Sequence, residues 1–218
     1  VGFTGARLAE ARVWNMFRQV MDDTGAWGNK YLDYITGKNL THRFPLYVYP
    51  NRKISLNDTM WFMRGQYEGT VLDMTKDVGA QQFAAGMRVR PLYWKSDETG
   101  KELQYHNERP IGTQQTGWHF VAQMRQDMPD AVGGVVWFGV DDTAHSVHVP
   151  FFVGINSIPI GWADQGIQHV DDEQASMAVD DSKAWWSFNI VANYVYSRWT
   201  AHTDVQNAIV NAEGKYSK

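Results

Sequence analysis

Residues 116–153 constrain the fold more than any other part of the chain. Three strand-like runs, 116–125, 134–140 and 146–153, follow one another with only short polar or glycine-bearing connections between them, a spacing that predicts an antiparallel meander. Successive strand residues point to opposite faces. In the first run Trp118, Phe120, Ala122 and Met124 share one parity, and His119, Val121, Gln123 and Arg125 share the other. The first set is expected to be the core face and the second a mostly polar row. The run "VVWFGV" is apolar on both parities and is expected to be covered on both sides.

Helical periodicity brackets this meander. Residues 5–22 place Ala9, Val13, Met16 and Val20 on one stripe, broadened by Trp14, Phe17 and Met21, with Thr4 as the expected N-cap. Residues 25–53 carry turn signals at Gly25, Gly28, Gly37, Pro45 and Pro50. They read as a long surface connection with a short extended piece at Leu46 to Tyr49. Ser55 followed by Asp58 resembles a capping box for a short helix ending at Gly65. The polar stretch 95–109 reads as an exposed loop or loose hairpin. From Ser182 a helix apolar over most of its circumference is expected to be largely buried, with Asp180 and Asp181 at its positive end. A last helix, Asp204 to Ala212, is expected to stop at Gly214. The expected fold class is α+β, an antiparallel sheet with flanking helices in a single domain over 1–218. At this length roughly 70% of the unfolded chain's surface can be buried.

Several classes of function are set aside by composition. Net charge is −4, with basic residues scattered, which argues against nucleic acid as a partner. No apolar run approaches the roughly 18 residues of a membrane span. Thirty aromatic residues, ten each of Trp, Tyr and Phe, read first as packing between layers and second as a stacking surface for glycans or peptides. With no cysteine among 218 residues, disulfides, thiolate metal sites and a cysteine nucleophile are excluded within them. His145 and His148 flank a turn beside Asp141 and Asp142; if the run from Ser146 is a strand, residues three apart point to opposite faces, and the other histidines show no ligand spacing. Neither metal nor cofactor is expected. Nucleophile-elbow, dinucleotide and P-loop motifs do not occur.

Arg125 stands out at the end of its strand. It either reaches solvent or pairs with Asp127 or Asp130, or it lines a pocket and grips a carboxylate. Tyr67, Glu68 and Asp73 read most simply as a capped turn with surface carboxylates.

Three stretches taken together carry a resemblance: "YEGTVLDMT" (67–75), "NERPIGTQQTGWHFVAQMRQDMPDAVGGVVWFGVDDTAHSVHVPFF" (107–152) and "SKAWWSFNIVANYV" (182–195). In this order they resemble the middle and C-terminal portion of the dipeptidase A family, cysteine peptidases of the N-terminal-nucleophile hydrolase superfamily. The resemblance implies an αββα sandwich in which a mature N-terminal cysteine attacks the peptide carbonyl, its own α-amino group serving as base. It also implies that this chain is a C-terminal fragment, inactive alone, whose nucleophile lies upstream. Arg125 matches the family's Q-x-R arginine and is the candidate supporting catalytic residue, while Gln123 beside it and Tyr67, Glu68 and Gly69 of the Y-E-G-T motif are the substrate-binding candidates. The segment "AQQFAAGMRVRP" (80–91) departs from the G-P-F-G-like sequence expected there. The implied substrates are small peptides, and a sheet face left without its partner would invite self-association. The alternative is a non-catalytic module whose exposed tryptophans bind glycans or peptides.

Overall fold

A computed structural model describes residues 2–21, 24–76, 80, 85–86, 92–105, 109–163 and 179–216. It has an α+β fold that divides into two units, 1–113 and 114–218.

In the first unit, helix α1 (Phe3–Gly5), a π-helical turn (Ala6–Glu10) and helix α2 (Ala11–Val20) run in succession. Gly2 occupies the N-cap and Thr4 lies inside α1, so the expected threonine cap is not formed. The buried side is Ala6, Ala11, Trp14, Asn15 and Val20, while Ala9, Val13 and Met16 are exposed. Two causes rotate the stripe away from its expected position. The π turn breaks the regular 3.6-residue phase, and Trp14 is the largest anchor available, its indole N–H donating to the Gly28 carbonyl at 3.0 Å.

Helices α3 (Thr24–Lys30) and α4 (Leu32–Ile35) stand where a surface connection was expected. Packing overrides the local glycine signals there: Trp27, Tyr31, Tyr34 and Phe44 meet at ring separations of 5.0–6.2 Å. Leu46 to Tyr49 forms no strand and its large side chains are exposed. Helix α5 (Leu56–Phe62) carries the expected capping box, with Ser55 Oγ accepting from Asp58 N and the Asp58 carboxylate accepting from Ser55 N. Strands β1 (Leu92–Lys95) and β2 (Glu102–Tyr105) pair antiparallel as a hairpin across the polar stretch.

The second unit holds the meander in the order β3 (Trp118–Met124), β4 (Gly134–Val140), β5 (Val149–Phe152), all antiparallel, with a helical turn α6 (Asp130–Gly133) before β4. Helix α7 (Ala184–Ser197), a 3-10 turn (Trp199–Ala201) and helix α8 (His202–Tyr216) follow. Helix α8 therefore runs beyond Gly214. The third strand is shorter than expected, because residues 141–148 form a buried connection instead of its first turn.

The meander is as expected, but its faces are reversed. His119 and Val121 are buried, whereas Trp118 is 61%, Phe120 47% and Met124 82% exposed. Opposite residues in an antiparallel pair share a face, so the register Val121 to Trp137 and Gln123 to Val135 puts these four on the inner side. Helix α7 packs against β4 and helix α8 against β5. The outer face is apolar and only partly covered, by Trp162 against Phe138 and Phe151 at 6.0 and 5.5 Å. Val136 is thus exposed in a strand expected to be covered on both sides. Helix α7 is also less buried than expected, with Trp185, Ile190, Val191 and Tyr194 exposed.

Candidate functional site

The chain leaving α5 is held tightly before it reaches Tyr67. Gly65 O accepts from both Ile111 N and Gly112 N at 3.1 Å. A Cβ at Gly112 would lie 2.8 Å from Arg64 O, so only glycine permits this approach. Tyr67 is fully buried, its hydroxyl donating to Arg109 O at 3.0 Å, and its backbone sits in the left-handed region at φ +66°. Such a conformation costs a tyrosine on the order of 1–3 kcal/mol and persists only where the surroundings enforce it. Asp73 closes the turn by accepting from Gly69 N (3.2 Å), Thr75 N (2.9 Å) and Thr75 Oγ1 (2.6 Å). Burial alone would raise the Asp73 pKa, but these hydrogen bonds and Lys76 hold it below the ordinary carboxylate value.

Tyr67, Glu68 and Gly69 are therefore brought together, with different roles. Tyr67 belongs to the core, and Gly69, at φ +70°, lines a cleft of about 230 Å³ with Trp14, Arg18, Asn29, Leu32, Thr70 and Val71. The residue Glu68 is exposed, yet its carboxylate folds back to accept from Gln66 N at 3.0 Å. The loss of water around that group pushes its pKa up.

Arg18 was not singled out by sequence reasoning, because it is one polar position among several on an amphipathic helix. Its Nε donates to Asn15 Oδ1 at 3.0 Å and its Nη2 to Glu68 O at 2.9 Å, with the guanidinium carbon 5.6 Å from the centre of the Trp14 ring. Burial pulls its pKa down, and the Glu68 charge only partly offsets this.

Gln123 and Arg125 lie on the inner parity of β3 in the second unit. Gln123 Oε1 accepts from Trp137 Nε1 at 3.0 Å. Arg125 is half-buried, donates through Nη2 to Val132 O, and lies 5.7 Å from the centre of the Phe152 ring. Its Nε is buried with no hydrogen-bond partner among the described residues. Asp127 and Asp130 form no ion pair with it there. Residues 81–84 and 87–91 of the altered 80–91 segment lie outside the described residues.

The inner face of the sheet carries two buried chains of polar groups that sequence reasoning missed. In one, the Glu213 carboxylate accepts from His148 N and His148 Nδ1, both at 2.8 Å; His148 Nε2 lies 3.0 Å from His119 Nδ1, and His119 Nε2 lies 2.9 Å from Ser146 Oγ. With Glu213 ionised, His148 carries its proton on Nδ1 and accepts at Nε2 from His119 Nδ1. In the other, Asp142 Oδ2 accepts from His145 Nδ1 and from the Tyr196 hydroxyl at 2.7 Å each, and His145 Nε2 lies 3.0 Å from His202 Nδ1. Ser146 Oγ is also 2.9 Å from Asp142 O, which joins the two chains. His145 and His148 thus face different partners, though from a buried connection and not from a strand. Ser146 is fully buried, so its contact with a histidine holds the connection together and presents no hydroxyl to substrate. Asp141, at φ +65°, begins this connection and accepts from Asn189 Nδ2 at 3.3 Å.

A pH dependence follows from His202. Loss of water pushes its pKa down to about 4, with the neighbouring His145 acting in the same direction and Asp142 opposing. An unfolded histidine titrates near 6.5. Between those values the unfolded chain takes up a proton that the folded chain refuses, so stability falls as pH drops from about 6.5 to 4. Asp142 behaves differently. Burial would raise it, but the hydrogen bonds from His145 and Tyr196 hold it low, so its contribution survives until more acidic pH. The melting temperature is expected to fall across the 6.5 to 4 window, and His202→Gln to flatten that fall. An unaltered slope in the variant would remove His202 as its source.

The sequence model of peptidase family C69 matches residues 3–212. Over 106 residues, 49% of this chain, the sequence is 30% identical to a probable dipeptidase of Latilactobacillus sakei, of which the match covers 18%. Over 118 residues, 54% of this chain, it is 24% identical to dipeptidase A of Lactobacillus helveticus, of which the match covers 20%. The matched stretches thus span about a fifth of either relative.

Proposed function

The chain belongs to peptidase family C69, and on that premise we propose that it forms part of a dipeptidase that hydrolyses small peptides through a thioester on a cysteine outside these 218 residues. The family match over residues 3–212 carries this reading. The dipeptidase names of the two relatives support it, and the lack of cysteine in the chain is why the nucleophile is sought elsewhere. In this reading Tyr67 to Gly69 in the first unit and Gln123 in the second are candidate substrate-binding residues, and Arg125 is a candidate supporting residue for catalysis. The α+β arrangement supports one α layer and one β layer of an αββα sandwich. The exposed Trp118 and Phe120 mark the face where a second sheet, or another copy of the chain, would lie.

The test is dipeptide hydrolysis by the product of the complete reading frame, with and without a thiol alkylator. Activity abolished by alkylation is the expected result, and activity indifferent to it would eliminate the cysteine mechanism. In the same assay Arg125→Met is expected to lower turnover more than it lowers the melting temperature. Unchanged turnover would leave Arg125 only its contact with Val132 and Phe152. Exposure of Trp118 beside Phe120, stacked at 5.9 Å, favours one rival, a glycan- or peptide-binding module, which would show binding without any hydrolysis.

A further inference from the structure

We propose that Arg18 anchors the terminal carboxylate of a small peptide in the cleft between α2, α3 and the Tyr67 to Val71 turn. The inference rests on the peptidase reading for the identity of the ligand and on geometry for the site. Arg18 spends Nε on Asn15 and one Nη2 hydrogen on the Glu68 carbonyl, both neutral acceptors. No carboxylate forms an ion pair with it among the described residues, and its Nη1 donates to none of them. A guanidinium offers five N–H donors in a planar fork that matches a carboxylate with two parallel hydrogen bonds. Here two of the five are used, and the remainder belong to a cation that has lost part of its water.

Its surroundings fix it in place. Asn15 is fully buried, so packing around its side chain restrains the Oδ1 that accepts from Arg18 Nε. Trp14, held by its bond to Gly28 O, backs the guanidinium. A bound carboxylate would therefore meet a preorganised fork instead of a flexible surface arginine.

The rest of the lining limits the ligand's size and character. Leu32 and Val71 give the cleft an apolar side, Gly28 and Gly69 present no side chain, and Asn29 supplies one exposed amide. A volume of about 230 Å³ is below the roughly 300–1,000 Å³ of sites for drug-sized ligands, which suits a molecule of one or two amino acids. Glu68 is the opposing charge. Its carboxylate is pinned to Gln66 N and does not bridge to Arg18, so it weakens but does not occupy the site.

The experiment is isothermal titration of the full-length protein with a non-cleavable dipeptide, Ala-Leu carrying a methylene-amine in place of the peptide bond. Its C-terminal amide and acetate are titrated in parallel. The acid is expected to bind about tenfold or more tightly than the amide, as one charge-assisted pair implies, and acetate far more weakly than the acid. Arg18→Gln should abolish the difference between acid and amide. Val71→Trp alters an exposed rim position and leaves Arg18 intact, so it tests the cleft even if Arg18→Gln fails to fold, and it should weaken both peptides. Equal binding of acid and amide by the unaltered protein would overturn the proposal, as would acetate binding as well as the acid, discrimination that survives Arg18→Gln, or Val71→Trp without effect. A preference for the acid with no hydrolysis of ordinary Ala-Leu would sink the peptidase reading and spare the site. Hydrolysis of Ala-Leu and its amide with equal KM would do the reverse.

Discussion

Replacing Glu213 by leucine is expected to lower the unfolding free energy by about 2–6 kcal/mol, on the order of 1–3 kcal/mol for each of the two buried donors it strands. The Glu213 side chain is 6% exposed and that of His148 not at all. One carboxylate oxygen accepts from both the backbone and the ring of His148, so leucine would leave two buried donors without that acceptor. His148 also orders His119, and His119 orders Ser146, so the loss reaches the connection between β4 and β5. Glu213→Gln keeps an oxygen at the same place and is expected to cost less, about 1–3 kcal/mol, since a neutral acceptor replaces a charged one. Urea unfolding followed by near-ultraviolet circular dichroism reads both. A leucine variant within 1 kcal/mol of the unaltered protein would mean that the chain from Glu213 to Ser146 contributes nothing to holding the second unit together.

What could be read from sequence differs from what could not by the distance over which it is encoded. The capping box at Ser55 and Asp58 is legible because both its hydrogen bonds join residues three apart. The meander is legible because its connections are short. Parity divides β3 into two faces but does not say which is inside, and the aromatic set Trp118, Phe120 and Met124 proves to be the outer one. His119 looked like part of a polar row because its partner His148 lies 29 residues away, and Glu213 lies 65 residues beyond His148. Arg18 was hidden for the same reason, since its cleft is completed by Gly69 to Val71. In α2 the error had another cause, a π turn that shifts the helical phase without any proline or glycine pair to announce it. The family resemblance placed Tyr67 to Gly69 and Arg125 in motifs, but a motif does not distinguish a core tyrosine from a cleft glycine.

The register itself yields the second large effect. His119 faces Gly139 across β3 and β4, and a Cβ built on Gly139 would lie 2.1 Å from His119 Cε1 and 2.5 Å from its Nε2. The imidazole therefore occupies the space where any other residue would carry its side chain. Gly139→Ala must expel the ring, combining overpacking of about 1–3 kcal/mol with loss of the His119 hydrogen bonds, on the order of 1–3 kcal/mol where buried partners are stranded. A total of about 2–6 kcal/mol is expected. His119→Ala alone should cost a comparable amount, because it leaves a cavity and strands the same partners. In the His119→Ala background, however, the added methyl of Gly139→Ala enters vacated space and should cost far less than in the unaltered protein. The two substitutions are thus expected to couple by roughly 2 kcal/mol or more in a double-mutant cycle measured by urea unfolding. Simple additivity would show that the ring does not lie over Gly139, and with it would go the geometry that links His119 to Glu213.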